Sequence, residues 1–246
     1  MKKTHEAITG NGSVFSQYLD VIVGKRSIFY FLYFEFCLLL SWIPGAAGMM
    51  LRKIFWPRLF SSCGKGVLFG ANVVLRHPGR IAIGNRVVIS DGCIFDARNP
   101  EEEIVIALGD NVMLSNNVML SCKNGTIEVG TNTGINAQTI IQSTSNCPVI
   151  IGEDVIIGQR AFVIGGGNYH TEDLEIPIRL QGIQDDGGVH IQNNVWLGGN
   201  ASVLGGVTLG HGSIVAASAV MTKSVEPFSI CKGIPGKVHA YRNSAD

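Results

Sequence analysis

The sequence predicts an all-β fold in which short parallel strands wind into a β-helix, preceded by an apolar helical segment. A six-residue repeat with an aliphatic first position recurs from about residue 64 onward. Gly accounts for 31 of 246 residues, above the usual share of about 7%, which indicates many tight turns. One apolar run, Ile28–Leu51, precedes the repeat. These three observations divide the chain into a helical region, residues 1–60, and a β-helix, residues 64–240.

The uninterrupted part of the apolar run, Ile28–Ile43, is 16 residues long. As a helix it would extend about 24 Å, less than the ~30 Å hydrocarbon core of a bilayer. Pro44 and Gly45 follow it, and basic residues flank the run on both sides. Residues 1–27 are mixed and polar, unlike a secretory signal peptide.

Three interpretations of this run are open. The favoured one is a helical hairpin at a membrane surface, because the run is apolar on all sides and Trp42 and Trp56 suit an interface. A helix packed on the main domain or in an oligomer contact is the second. A true membrane crossing is the third.

The repeat explains the β-helix. Its unit is an aliphatic residue, often Gly, two polar residues, a small or β-branched residue and one more, as in Ile83–Val88, Leu108–Met113 and Ile151–Ile156. We expect the aliphatic side chain to point into a narrow interior with the small residue beside it. Asn and Gly suit the turns, where left-handed backbone angles are inexpensive for these residues. Stacked coils then form one continuous core.

Two segments interrupt the repeat. Residues 95–107 contain a polar insert around Asn99–Glu103, and residues 167–188 form a long loop. Long loops on a rigid repeat usually carry function. We therefore expect the second loop to belong to a site.

Composition excludes some classes of function. Lys+Arg and Asp+Glu are equal at 19 each, so no broad positive field favours nucleic acid. The six cysteines are scattered without a C-x-x-C pair, which speaks against a zinc or thioredoxin-like site and favours buried free thiols in a reducing, cytoplasmic compartment.

Several motifs follow one another in a recognisable order: Asn168-Tyr169-His170, Val195–Gly199, Val215–Lys223 and Gly233–Lys237. With the repeat, they resemble the hexapeptide-repeat acyltransferases, and the stretch from His170 to Lys237 is similar to the galactoside, maltose and nodulation O-acetyltransferase branch. The segment Ile178–Gly182 is similar to acetyltransferases of surface-polysaccharide clusters. The resemblance implies a left-handed parallel β-helix, a homotrimer with sites between subunits, and acetyl-CoA as co-substrate.

His170 takes the catalytic position of that branch. Acetyl transfer to a hydroxyl needs a base, and an imidazole with a pKa near 6.5 suits this task. The alternative is an exposed loop histidine. Glu172 and Asp173 are candidates to orient the ring, by proximity in sequence only.

Asn136 and Trp196 are further candidates implied by the resemblance. Asn136 would hold the acceptor, and its alternative is a turn asparagine of the repeat. Trp196 would line the site beside the pantetheine arm, and its alternative is core packing.

The remaining candidates would bind coenzyme A. Gly198 and Gly199 allow close approach of backbone to a ligand, and their amides are candidates for stabilising the oxyanion. The resemblance further implies contacts from Ala217, Thr222, Lys223 and Lys237. Lys237 departs from the Arg common in the branch, and Lys holds a phosphate as a point charge rather than bidentately. The alternative for Lys223 is a solvated surface charge.

No metal is expected. The other histidines include His77, His190, His211 and His239, and no two of these lie within five residues of each other, unlike the three-histidine sites of β-helix carbonic anhydrases. His77, beside Pro78, is more typical of a turn.

The sequence therefore predicts an O-acetyltransferase that moves an acetyl group from acetyl-CoA to a sugar hydroxyl of a surface-polysaccharide or lipid-linked glycan precursor, at the inner face of the cytoplasmic membrane. Residues 28–51 would contact that membrane. Two alternatives remain: acetylation of a soluble sugar, antibiotic or amine, and a non-catalytic β-helix scaffold at a membrane complex.

Overall fold

The computed structural model describes residues 13–242. Its N-terminal part is helical: α1 (Val14–Tyr18) with a π-helical turn (Leu19–Val23), α2 (Ile28–Ser41), α3 (Gly45–Phe55) and a 3-10 turn (Trp56–Leu59). A second 3-10 turn (Pro78–Arg80) lies within the β-helix, and a short α4 (Ile178–Gln181) lies in the long loop. The helices before the repeat end at Leu59 and the strands begin at Ser62.

Short strands occupy the rest of the chain. The first three coils contain β1 (Ser62–Cys63), β2 (Leu68–Phe69), β3 (Val74–Arg76), β4 (Ile81–Ile83), β5 (Val88–Ile89), β6 (Ile94–Arg98), β7 (Ile106–Leu108), β8 (Met113–Leu114) and β9 (Met119–Lys123). The next two contain β10 (Ile127–Val129), β11 (Gly134–Ile135), β12 (Ile140–Thr144), β13 (Val149–Ile151), β14 (Ile156–Ile157) and β15 (Phe162–Gly165). The last coils contain β16 (Val189–Ile191), β17 (Trp196–Leu197), β18 (Ser202–Val203), β19 (Thr208–Leu209), β20 (Ile214–Val215) and β21 (Val220–Met221), followed by β22 (Ser229–Lys232) and β23 (Lys237–Tyr241).

Every third strand joins the same parallel sheet, so each coil contributes one strand to each of three sheets. Sheet A runs from β1 to β19, sheet B from β2 through β20 to β22 and β23, and sheet C from β3 to β21. In the last coils Trp196 pairs with Ile214 and Ser202 with Val220, a step of three hexapeptides. The predicted parallel β-helix is thus confirmed, and the structure gives it about seven coils. Its left-handed sense stays a prediction.

The positions of the repeat have the predicted environments. First-position side chains such as Ile83, Leu108 and Ile151 are buried, and fifth-position residues such as Val112 and Thr133 are buried beside them. The fourth position takes a left-handed backbone conformation along the whole β-helix, at Arg86, Asn111, Asn117, Asn132, Gln138, Asp154, Arg160, Asn194, Asn200, Gly206, Gly212 and Ser218. Asn and Gly are abundant at this position because other residues adopt the left-handed conformation only at a cost in free energy.

Polar side chains also form a ladder along the corner between sheets A and B. The Asn111 Nδ2 donates to Asn132 Oδ1 at 2.8 Å, and Asn132 Nδ2 donates to Asp154 Oδ1 at 3.0 Å. Each turn is thereby tied to the turn of the next coil, which holds the coils in register.

Helices α2 and α3 pack on the first coil and close its open end. Phe34, Cys37 and Leu40 on one side of α2 are buried, and the Trp56 indole donates to the Cys37 carbonyl at 3.0 Å. Trp56 and Phe60 both pack on Phe69 of the first coil. This packing agrees with the second interpretation of the apolar run, a helix packed on the main domain. Within residues 13–242, no helix has both the length and the apolar character that a membrane crossing requires.

A buried arginine holds this cap in place. Arg52 donates to the carbonyls of Leu40 and Ile43 at the end of α2, at 2.9 and 2.8 Å, and to Phe69 of the first coil at 3.0 Å. A cation is favourable at the carbonyl end of a helix. Burial nevertheless lowers the pKa of Arg52. Gly48 permits the approach, because a Cβ there would lie 1.8 Å from the Ile43 carbonyl oxygen.

Candidate active site

The long loop at residues 167–188 leaves sheet C after β15 and returns to sheet A at β16. Asp186 closes its base: the carboxylate accepts from the amides of Gly166 (3.1 and 3.0 Å) and Gly188 (2.9 Å). Above this base the two arms of the loop pair, with Gln184 N donating to Asn168 O at 2.8 Å and His170 N to Gly182 O at 3.1 Å. The loop is therefore an ordered hairpin that carries His170.

The His170 ring faces a carboxylate. Its Nδ1 lies 3.5 Å from Glu172 Oε2, and both side chains are exposed. The Glu172 carboxylate also accepts from the Thr171 amide at 3.0 Å. Backbone hydrogen bonds to this carboxylate, together with His170, lower the pKa of Glu172. With Nδ1 turned toward Glu172, Nε2 is the ring nitrogen that does not face this carboxylate.

Asp173, the other candidate to orient His170, has a different role. Its carboxylate accepts from the amides of Glu175 and Ile176, at 2.9 and 3.2 Å. Gln181 Nε2 donates to the carbonyls of Asp173 and Ile176 and so closes the far end of the loop. Of the two candidates, Glu172 is the one that faces the His170 ring, while Asp173 Oδ1 accepts from the loop backbone.

Asn136 lies after β11, at the corner between sheets B and C. Its side-chain Nδ2 donates to the Ile157 carbonyl of the next coil at 2.8 Å. The side chain of His170 contacts Glu172 instead, so the two predicted site residues are not joined by a hydrogen bond within one chain. The role of Asn136 in holding an acceptor stays a prediction.

Trp196 lies on the outer surface of sheet B, in register with Ile156 and Ile214. Its side chain is 52% exposed. The core-packing alternative is therefore wrong, and the indole is accessible to a ligand.

Gly198 and Gly199 follow Trp196 at a close contact between coils. A Cβ at Gly198 would lie 2.5 Å from the Ala217 amide nitrogen. The Gly198 amide donates to the Val215 carbonyl at 2.8 Å. The prediction that the Gly198 amide donates to a thioester oxygen is wrong, because this amide already donates a hydrogen bond within the β-helix. Within residues 13–242, no backbone acceptor is found for the Gly199 amide, which leaves it as the better candidate.

Thr222, Lys223 and Lys237 form what we call the lysine-rich end of the predicted site. Backbone hydrogen bonds hold the segments that carry them together. Val220 N donates to Gly233 O at 3.1 Å, and Gly236 N donates to Val220 O at 2.7 Å. These bonds tie the segment containing Thr222 and Lys223 to the turn before Lys237. All three side chains are exposed.

One residue that sequence reasoning missed, Lys232, lies at this end. Lys232 pairs directly with Lys237 in the antiparallel register of β22 and β23, and a cavity of about 500 Å³ is lined by Lys232, Lys237 and His239. Like charges placed opposite each other destabilise a strand pair, and an anion between them would relieve this. The sequence signal for this pair was the five-residue spacing of Lys232 and Lys237 around the Gly233–Gly236 turn. Asp186 at the loop base was also missed, although Asp-Gly is a frequent turn signal.

The predicted residues fall into two groups on two corners of the β-helix. Asn136, Gly198, Gly199 and Ala217 follow strands of sheet B and lie at the B/C corner, next to Trp196. His170, Thr222 and Lys223 follow strands of sheet C and lie at the C/A corner. Sheet C separates the two groups, so the predicted residues of one chain do not lie together in one site.

Within the part of the chain that the structure describes, the cysteines are free thiols and the possible metal ligands are not clustered. All six thiols are unpaired, and burial raises the pKa of Cys37, Cys63 and Cys93 to about 11, as expected for inert structural thiols. Within residues 13–242, no three His, Cys, Asp or Glu side chains are grouped to share a metal ion.

Comparison with known proteins agrees with the repeat. The family described as bacterial transferase hexapeptide (six repeats) matches residues 188–223. A Staphylococcus aureus (strain COL) protein named as an acetyltransferase is 32% identical over 106 residues, covering 37% of this chain and 53% of the relative. A chloramphenicol acetyltransferase of Klebsiella aerogenes is 33% identical over 103 residues, covering 36% and 49%. The chain thus spans about half the length of these curated relatives.

Among solved structures, the UDP-N-acetylglucosamine acyltransferase from Campylobacter jejuni has a similar fold. The TM-score is 0.53 at 17% identity, over 73% of this chain and 69% of that chain. The match over residues 188–223 therefore places a hexapeptide-repeat segment of the bacterial transferase type in the last coils of the β-helix.

Proposed function

We propose that the protein is an O-acetyltransferase that transfers the acetyl group of acetyl-CoA to a sugar hydroxyl. One observation carries this proposal: the ordered loop presents His170 with Nδ1 toward Glu172, 3.5 Å away. A carboxylate on one ring nitrogen favours a proton there and leaves Nε2 as the base. This is the arrangement needed to activate a hydroxyl.

The reaction is a direct transfer. His170 Nε2 accepts the hydroxyl proton as the oxygen attacks the thioester carbon. The Glu172 carboxylate stabilises the imidazolium that forms. The carbon–sulfur bond then breaks, and the coenzyme A thiolate leaves and recovers the proton from Nε2. The Gly199 amide is our candidate donor to the developing oxyanion.

The lysine-rich end supports a donor that carries phosphates. Lys223 and Lys237 are exposed, and Lys232 pairs with Lys237 across β22 and β23. The His170 loop and the Thr222–Lys223 segment leave sheet C two coils apart, a separation of about 10 Å along the β-helix. An extended donor could therefore place its acetyl group near His170 and its phosphates near the lysines.

The two separate groups of predicted residues on one chain support a homotrimer. If the C/A corner of one subunit meets the B/C corner of its neighbour, His170 faces Asn136 and Trp196 of that neighbour's site. A head-to-tail contact of this kind closes into a ring when its rotation closes. Each trimer would then hold three complete sites.

We propose a surface-polysaccharide or lipid-linked glycan precursor as the acceptor, acetylated at the inner face of the cytoplasmic membrane. The apolar cap formed by α2 and α3 supports this location. A soluble acceptor is the second candidate, favoured by the similarity to a chloramphenicol acetyltransferase, whose name gives an antibiotic as substrate. A non-catalytic scaffold is the remaining alternative.

The test is incubation of the full chain with radiolabelled acetyl-CoA and bacterial membranes, followed by extraction with organic solvent. His170→Ala should lower incorporation at least about 100-fold, because it removes the general base. His190→Ala is the matched control, since His190 is also exposed but lies on the outer face of sheet A; its activity should match the wild type.

The phase that carries the label identifies the acceptor class. Label in the solvent phase supports a lipid-linked acceptor, and label confined to the water phase supports a soluble one. Equal incorporation by the wild type and His170→Ala would contradict the assigned base and favour the scaffold.

A further inference from the structure

Helix α2 exposes an apolar face to solvent. Phe29, Leu32, Phe36 and Leu39 are all exposed and are spaced three or four residues apart, which places them on one side of the helix. Phe29 is 82% and Leu39 71% exposed. Trp42, directly after the helix, is 80% exposed and extends this side.

Helix α3 continues the apolar surface. Met50 and Ile54 are exposed one turn apart on α3. The Phe36 ring packs edge-on against Phe55 of α3, with ring centroids 5.2 Å apart. We call the surface formed by Phe29, Leu32, Phe36, Leu39, Trp42, Met50 and Ile54 the outer face of the cap.

The outer face cannot be buried by a small rearrangement. The opposite side of α2 is already packed on the first coil, and Arg52 links α2, α3 and that coil through three hydrogen bonds. The Tyr30 and Tyr33 hydroxyls also donate to carbonyls of Leu59 and Phe55. Proteins rarely leave an apolar patch of this kind in water unless it binds another surface.

The charges around the outer face indicate an anionic partner. Lys53 directly precedes Ile54 on α3, Arg58 follows α3, and both are exposed; Lys25 and Arg26 precede α2. Two acidic residues lie in residues 13–60, and both have partners: Asp20 pairs with Arg26 at 2.6 Å, and Glu35 accepts from the Tyr18 hydroxyl at 2.6 Å. Apolar side chains, a terminal Trp and adjacent cations are the features of helices that lie in a bilayer interface.

We infer that the outer face of the cap docks on an anionic phospholipid bilayer, with α2 lying along the surface and the β-helix outside the lipid. This inference extends the membrane location given above and rests on it. Vesicle binding is measured without acetyl-CoA. A protein that does not bind vesicles would contradict this inference but not the proposed acetyl transfer, so the two failures are distinguishable.

The test is co-sedimentation of the full chain with vesicles of phosphatidylcholine alone and with added phosphatidylglycerol. The wild type should bind the anionic vesicles more tightly. The double variant Leu32→Glu/Leu39→Glu should bind at least tenfold more weakly. Each of Lys53→Ala and Arg58→Ala should weaken binding to anionic vesicles about fivefold.

The matched control is Leu174→Glu, because Leu174 is also an exposed leucine but lies in the long loop; its vesicle binding should equal that of the wild type. Brominated lipid should quench the fluorescence of Trp42, and Trp42→Phe should abolish this quenching.

Several results would overturn the inference. Absence of wild-type binding to either vesicle is one, and equal losses in the cap variant and Leu174→Glu are another. A third result combines two observations: the wild type does not bind vesicles, and the double variant sediments as a smaller assembly than the wild type. This result would show instead that a second copy of the chain covers the outer face.

Discussion

His77 lies where the segment before α2 meets the first coil. Its Nε2 lies 2.9 Å from the Asp20 carbonyl oxygen and must donate to it, so the neutral ring carries its proton on Nε2. Nδ1 is buried without a hydrogen-bond partner among residues 13–242. Burial lowers the pKa of His77, and Arg80 and Arg98 lower it further, against opposing effects of the Asp20 carbonyl and Asp96.

This histidine should make stability depend on pH. The unfolded chain takes up a proton at His77 near pH 6.5, whereas the folded protein resists it. The contribution of His77 to the stability of the fold is therefore complete above that pH, and it is lost as the pH falls toward the lower pKa of His77 in the folded protein. Asn tolerates the left-handed conformation of residue 77, where φ is 54°. We expect the fall in Tm between pH 7.5 and 5.5 to be smaller in His77→Asn than in the wild type, by thermal melting. Equal falls would show that His77 does not contribute.

At this scale the sequence identified the catalytic candidate but not its neighbours. Glu172 and Asp173 are equivalent candidates in the sequence, because the choice between them depends on which carboxylate the folded loop places beside the His170 ring. The Gly198 amide was assigned to a ligand because a six-residue pattern does not show which amides pair with the next coil. Lys232 became visible only when the antiparallel register placed it opposite Lys237.

At the scale of the elements, the turn of each hexapeptide carries a conformational cost. Asn194 occupies a fourth position with φ of 59°. Asn194→Ala should lower the free energy of unfolding by about 1 kcal/mol, because Ala tolerates this conformation poorly. Asn194→Gly is the matched control and should stay within about 0.5 kcal/mol of the wild type. Urea unfolding measures both, and equal losses would assign the effect to the asparagine side chain instead.

The coils were the most predictable elements, because each position of the repeat has one environment. The N-terminal helices were less predictable. Their composition showed that the run must be buried, but Ile28–Ile43 is apolar all round and gave no indication of which side would pack. The side carrying Phe34 and Cys37 is selected by its fit to Trp56 and the first coil, which are contacts distant in sequence.

At the scale of the whole molecule, the two separate groups of predicted residues make a prediction about assembly. We expect a particle of three times 26.4 kDa in sedimentation velocity. His170→Ala and Asn136→Ala should each be inactive, and mixed trimers of the two should recover activity, because some sites then receive both native residues from neighbouring subunits. The recovery should approach about a quarter of the wild-type activity if subunits exchange at random. No recovery in mixed trimers would place both residues of a site on one chain.

The arginine-bound cap and the last antiparallel strand have one more consequence. A rod of parallel strands ends in unpaired amides and carbonyls, which are a template for adding further strands. Here α2 and α3 cover the first coil, and β23 turns back against β22 to pair the last strand of sheet B. The number of coils is therefore set by one polypeptide rather than by protein concentration. The molecule has a defined length, although its repeat could in principle be extended without limit.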